Sequence, residues 1–145
     1  MLSDSAIDDY LAPLAPEQQA AIRAVRTAIV AQDPNLVEAV DTGKWFGGML
    51  TYHTPGEVFL YALGPRTGGA TSFHMMAYYA LADLPERHGP ALKRFLTGKS
   101  CIQFKRYEDL TPDAIVAIQD VLGSADRVVE AMAAHDAAKR KRKAS

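Results

Sequence analysis

Cysteine is almost missing from this chain: Cys101 is the only one among 145 residues. A single thiol excludes an intrachain disulfide framework, so nothing in the composition points to an oxidising compartment. Long apolar runs are missing too, and a membrane-spanning helix needs about 20 consecutive apolar residues. An excess of one charge sign is also absent. The formal net charge is -1, whereas a nucleic-acid-binding domain usually carries a strongly basic face. The opening Met1-Leu2-Ser3-Asp4-Ser5 has neither the basic nor the apolar block of a signal peptide. With 48% hydrophobic and 23% charged residues, the chain is expected to be one ordinary cytoplasmic domain without a membrane partner.

The elements present suggest an α+β fold. Ser5 to Leu11 reads as a first helix capped by Ser3 or Ser5, with acids near its start where the helix dipole favours them. From Glu17 to Gln32, Ile22, Val25 and Ile29 recur at helical spacing behind Pro16, and Asp33-Pro34-Asn35 ends the run. Leu36 to Val40 fits either a further helical turn or an extended lead-in. Phe46–His53 and Glu57–Leu63 read as a hairpin turned at Thr54-Pro55-Gly56, with Thr71 to Tyr79 as a third strand. A helix through Leu96, capped by Gly98, leads into a strand from Ser100 to Lys105. Thr111-Pro112-Asp113 opens a last helical pattern, whose stripe Ile115, Ile118, Leu122, Val129 and Met132 is interrupted at Gly123-Ser124.

These elements predict an antiparallel sheet of four or more strands with N- and C-terminal helices packed on one face. The helix stripes are expected against Leu50, Phe59, Phe73 or Phe104. Residues 1–123 form the domain, and residues 124–145 a helical extension ending in the basic tail Lys139 to Lys143. That tail reads as a solvated terminus, with nucleic acid or acidic lipid as the alternatives. Val128, Val129 and Met132 extend the stripe beyond what a lone domain needs, which predicts a homodimer.

The order Ile7-Asp8-Asp9-Tyr10-Leu11, an arginine-bearing helix, Pro34 with Val37-Glu38-Ala39-Val40, the hairpin, Gly98-Lys99-Ser100-Cys101-Ile102-Gln103-Phe104 and the Leu110-Thr111-Pro112 helix entry resembles the YdhG-like family (domain of unknown function 1801) over roughly residues 5 to 123. The resemblance implies an α+β domain on an antiparallel sheet. Some members are labelled frataxin-like intracellular iron chaperones, which implies iron as cargo.

The candidate chemistry is sparse. Gly98-Lys99-Ser100 copies the end of a phosphate-binding loop, but here a helix precedes it and a strand follows, the reverse of that motif. A helix cap with Lys99 near the helix's negative end is the simpler reading, leaving a weaker anion contact by Lys99 and Ser100. His53, His74, His88 and His135 lack the spacing of a helical metal site. Cys101 with a histidine is a candidate nucleophile pair, although a single strand cysteine is more often a packed residue. Asp4, Asp8 and Asp9 are the acids an iron site would draw on, too few for a tight oxygen cage, so no resident cofactor is expected. Lys44, Trp45 and Tyr52 form a candidate ligand groove beside Gly47-Gly48, against core packing as the commoner fate of a domain's single tryptophan.

The reading from sequence is therefore a small, non-catalytic binding or chaperone-like module with Lys44, Trp45, Tyr52, Lys99 and Ser100 as ligand candidates. The alternatives are a small enzyme with a groove near Trp45, Lys99, Ser100 and Cys101, an iron chaperone by resemblance, and a dimerising interaction protein.

Overall fold

A computed structural model describes residues 1–144. The elements in chain order are α1 (Asp4–Leu11), α2 (Pro16–Gln32), β1 (Val37–Val40), β2 (Leu50–His53), β3 (Phe59–Pro65), β4 (Thr71–Met75), α3 (Met76–Ala80), α4 (Asp83–Leu92), β5 (Leu96–Thr97), β6 (Cys101–Phe104), α5 (Pro112–Leu122) and α6 (Ala125–Ala144). The six strands form one antiparallel sheet in the order β1-β2-β3-β4-β6-β5. The fold is α+β.

Helix starts follow their sequence signals. The Ser3 hydroxyl accepts from the Ala6 amide at 3.2 Å, and the Thr111 hydroxyl from the Ala114 amide at 3.1 Å, each satisfying a donor the helix itself leaves free. Pro16 and Pro112 occupy first-turn positions, where a missing N–H costs nothing.

The strand register assigns the two faces. Cross-strand neighbours share a face, so Tyr52, Tyr61 and Met75 lie together, as do Leu50, Leu63, Phe73 and Ile102. All of these are buried, in one cluster with Ile22, Val25 and Ile29 of α2 and Ile118 and Leu122 of α5. The opposite face carries Thr51, Ala62, His74 and Cys101 in one row, with Ser72 beside Gln103. An irregularity between Tyr52 and His53 pairs His53 with Phe59 and Tyr52 with Tyr61. This bulge turns Phe59 away from the helix-covered face, where regular alternation and the expected core would put it, and stacks it on His74 with ring centres 5.7 Å apart.

Several boundaries depart from the sequence reading. Of Leu36 to Val40, residues Val37–Val40 form strand β1. The first hairpin strand begins at Leu50 rather than Phe46, because residues 41–49 form a turn closed by the Asp41 amide on Met49 and the Gly48 amide on Asp41, both at 2.8 Å. The third strand stops at Met75, and Tyr79 lies on α3. The helix expected through Leu96 ends at Leu92, and Leu96–Thr97 pairs with β6. Gly98 is accordingly not a helix cap. It turns a tight β hairpin at φ +78°, a conformation glycine adopts without a Cβ penalty.

The C-terminal pattern is two helices, broken at Gly123-Ser124. Val128 is fully buried, and Ala125 and Met132 pack on the same core. Val128 and Met132, two of the three residues expected as surplus, therefore have intrachain partners, and packing continues past residue 123. Arg127 of α6 pairs with Asp83 of α4, while Asp120 of α5 accepts from Arg87 at 2.9 Å and lies 2.6 Å from His88.

One buried charge ties the N-terminal third together. The side chain of Glu38 is wholly buried and accepts from both Arg26 nitrogens at 2.7 and 2.8 Å, from the Tyr52 hydroxyl at 2.6 Å and from the Leu2 amide at 3.0 Å. Burial acts to raise the carboxyl, but the bonds from Arg26 and Tyr52 outweigh it and hold Glu38 below the usual range. Glu38→Ala strands a partly buried guanidinium and a buried phenol and is expected to cost about 3 kcal/mol, measured by denaturant unfolding. Because the folded carboxyl is depressed, its contribution is complete at neutral pH. It fades as pH falls below the unfolded value near 4.5 and through the lower folded one, so the variant's deficit should shrink in acid.

Candidate functional site

The helices cover one face of the sheet. Over the other lies the turn 41–49, which delivers Trp45 and Phe46. Gly64 on β3 makes this approach possible, since a Cβ there would sit 2.9 Å from Met49 Cγ and 3.0 Å from Met49 Cα. From α1, the Tyr10 hydroxyl donates to the Gly48 carbonyl at 2.7 Å, and burial pushes its pKa up to about 12. Gly48 has φ +83°. The turn is a fixed element with anchors on β3, α1 and its own backbone.

The Phe46 ring lies 5.0 Å from Phe59, stacked, and 5.1 Å from His74. These three rings floor a groove of about 690 Å³ lined also by Trp45, Met76, Tyr79, Lys99 and Ser100. Trp45 is 83% exposed and Tyr79 65%. Two large aromatic side chains thus stand in solvent beside an apolar hollow, although apolar side chains of that size normally find cover. A second hollow of about 270 Å³ shares Trp45, Phe46 and His74 and adds Met49, Arg66, Ser72, Thr97, Cys101 and Gln103. Among the described residues, Lys99 is the one charged residue lining the groove and Arg66 the one lining the hollow, and no carboxylate lines either.

His74 is the wall between them. Its Nδ1 lies 3.0 Å from the Cys101 sulfur and 3.3 Å from the Ser100 hydroxyl. In the Nε2–H tautomer, Nδ1 accepts from either group. Burial pulls the imidazole pKa down and pushes the thiol up, the Arg66 charge acting against the latter. The resting pair is a neutral thiol against a neutral imidazole.

The structure gathers some sequence candidates and separates others. Trp45, Lys99 and Ser100 meet at the groove, the last two from the β5–β6 turn. Lys44 sits over the Trp45 ring, 5.6 Å from its centre, without lining the groove itself. Trp45 is not in the core, because its turn faces an uncovered sheet. Tyr52 is excluded: it is fully buried on the helix-covered face, bonded to Glu38. Asp8 accepts from Arg23 at 2.7 Å, while Asp4 and Asp9 are exposed on α1. Among the described residues, no three His, Cys, Asp or Glu side chains gather in a metal-sized group, and no helix is long and apolar enough to cross a membrane.

Phe46, Phe59, Arg66, His74, Met76 and Tyr79 belong to the site and went unrecognised in the sequence. The bulge and the strand-to-helix switch at Met76 place three of them, and neither has a strong local signal. No protein-family model matches the chain, and no curated protein or solved structure is found to match it.

Gly64→Ala is expected to force Met49 and its turn off the sheet at a cost of about 1–3 kcal/mol, the range for overpacking a tight contact. The chain's single tryptophan sits on that turn, so a changed Trp45 emission spectrum in the still-folded variant is the accompanying signal. An unchanged spectrum and stability would show that the contact yields.

Proposed function

We propose that the protein is a non-catalytic binding module whose uncovered sheet face takes a small planar ligand, apolar over most of its surface and carrying a negative charge. The observation that supports this best is the exposed pair Trp45 and Tyr79 flanking a groove floored by Phe46, Phe59 and His74. Aromatic walls with a single cation at the rim favour stacking of a flat ring, with Lys99 meeting its anionic substituent. Lys44, already over Trp45, adds positive potential on the same side.

The fixed turn argues for a preformed site, which lowers the ordering cost of binding. The iron-chaperone reading implied by the family resemblance draws less support, since Asp8 is engaged by Arg23 and its neighbours do not converge with it. Self-association through α6 is supported no better, because Val128 and Met132 already pack within the chain.

Naphthalene-2-sulfonate is the test probe, with 2-naphthol as its neutral counterpart. Trp45 emission should change saturably with the sulfonate, and the sulfonate should bind several-fold more tightly than the naphthol. Lys99→Gln should remove that preference, by about tenfold at most for one partly exposed charge pair. Calorimetry with Trp45→Ala should show binding weakened by a further one to two kcal/mol, roughly the worth of one aromatic stack. Equal affinity for both probes, or binding indifferent to both substitutions, would sink the proposal. Anaerobic calorimetry with ferrous iron is expected to show no stoichiometric site. A one-to-one site abolished by Asp8→Ala would restore the iron reading.

A further inference from the structure

The smaller hollow has polar equipment that ring stacking does not use. Arg66 is exposed on the β3–β4 turn, and its guanidinium has no ion-pair or hydrogen-bond partner among the described residues. Ser72 is only 5% exposed, lines the hollow, and its hydroxyl has no hydrogen-bond partner there either. The Gln103 side-chain amide beside it is likewise unpaired. Three unpaired polar groups thus converge on one hollow and are available to a polar guest. The Cys101 sulfur lies in the same hollow, 3.0 Å from a neutral acceptor nitrogen.

We propose that this hollow captures a small 2-oxo acid covalently and reversibly, with Cys101 as nucleophile and Arg66 as partner of the carboxylate. A volume of about 270 Å³ has room for a 2-oxo acid of five or six heavy atoms with its carboxylate and carbonyl both inside. The Cys101 sulfur adds to the carbonyl carbon as the C=O π bond opens. The thiol proton passes to His74 Nδ1 and from there to the former carbonyl oxygen. The product is a hemithioacetal or hemithioketal. No group leaves and no oxidation state changes, so no co-reactant is needed, and reversal releases the acid intact. Ser72 and Gln103 donate to the oxygen on which charge develops during addition. The guanidinium fork suits a carboxylate set beside the reacting carbon. Arg66 also faces the sulfur closely enough for its charge to favour the thiolate.

This goes beyond the groove reading and does not depend on it, since neither Tyr79 nor Lys99 takes part. The experiment uses the full chain with glyoxylate labelled with ¹³C at its aldehyde carbon, followed by NMR, with glutathione as the reference thiol. The protein's adduct is expected to be at least about tenfold tighter than glutathione's, and Cys101→Ser should abolish it. Arg66→Gln should reduce it to the reference level while leaving the melting temperature unchanged, because the side chain is exposed and unpaired. His74→Gln should slow the approach to equilibrium more than it changes the end point, which a purely structural role would not do. An adduct no tighter than glutathione's, or one equally tight in Arg66→Gln, overturns the assignment whatever the outcome with naphthalene-2-sulfonate.

Discussion

The structure depends on one imbalance: a six-stranded sheet covered by helices on a single face. A sheet that buries Leu63, Phe73 and Ile102 in one row necessarily presents Ala62, His74 and Cys101 on the other side in the next, because side chains alternate. Antiparallel sheets tolerate a solvated second face when that face is polar. Here it is only partly so, since Phe59 and Ala62 lie there beside Thr51, Ser72, His74 and Gln103. The turn 41–49 supplies a partial cover, and its closeness to β3 depends on a glycine at position 64. What the turn leaves open becomes the two hollows. The site is thus the unfilled part of the packing, placed by the same register that builds the core.

Polar groups divide in the same way between the faces. Beneath the helices, Glu38 has every strong partner its burial demands: a bidentate arginine, a phenol and a backbone amide. That network joins the N-terminus, α2, β1 and β2. On the open face Arg66, Ser72 and Gln103 have no side-chain partner among the described residues. Paired polar groups hold elements together, whereas convergent unpaired ones are available to a guest. This contrast separates the two clusters more clearly than residue type does, since both contain an arginine and a hydroxyl.

Much of the scaffold was legible because it rests on periodicity and caps. The α2 stripe, the Thr111 start and the hairpin around Thr54-Pro55-Gly56 all carry local signals, and the α+β class follows from their order. The misreadings fall where tertiary contacts override local pattern. Tyr52 looked like a groove residue by its nearness to Trp45 in sequence, but a strand places alternate residues on opposite faces, and Glu38 claims its hydroxyl. Gly98 looked like a helix cap because the preceding residues are good helix formers, yet Leu96 gains a strand partner in Ile102. Trp45, Lys99 and Ser100 could be named from residue type alone. Phe59 could not, because a bulge decides its face, and neither could the pairing of His74 with Cys101, which only the β4–β6 register brings opposite.

That register also explains why the thiol–imidazole pair is neutral rather than charged. His74, next to last on β4, packs against the Phe46 ring, Cys101 opens β6 opposite it, and burial disfavours the thiolate and the imidazolium alike. Nucleophilic cysteines that work as standing thiolates sit in strongly electropositive surroundings, and a single exposed guanidinium does not create one. A neutral S–H facing a neutral acceptor has a different aptitude. It stays unreactive toward soft oxidants that need a thiolate, and it becomes nucleophilic when a bound anion fixes an electrophilic carbon against the sulfur and His74 takes the proton in the same step. Selectivity then lies in the guest's own charge, because Arg66 must hold a carboxylate before the sulfur has anything within reach to attack.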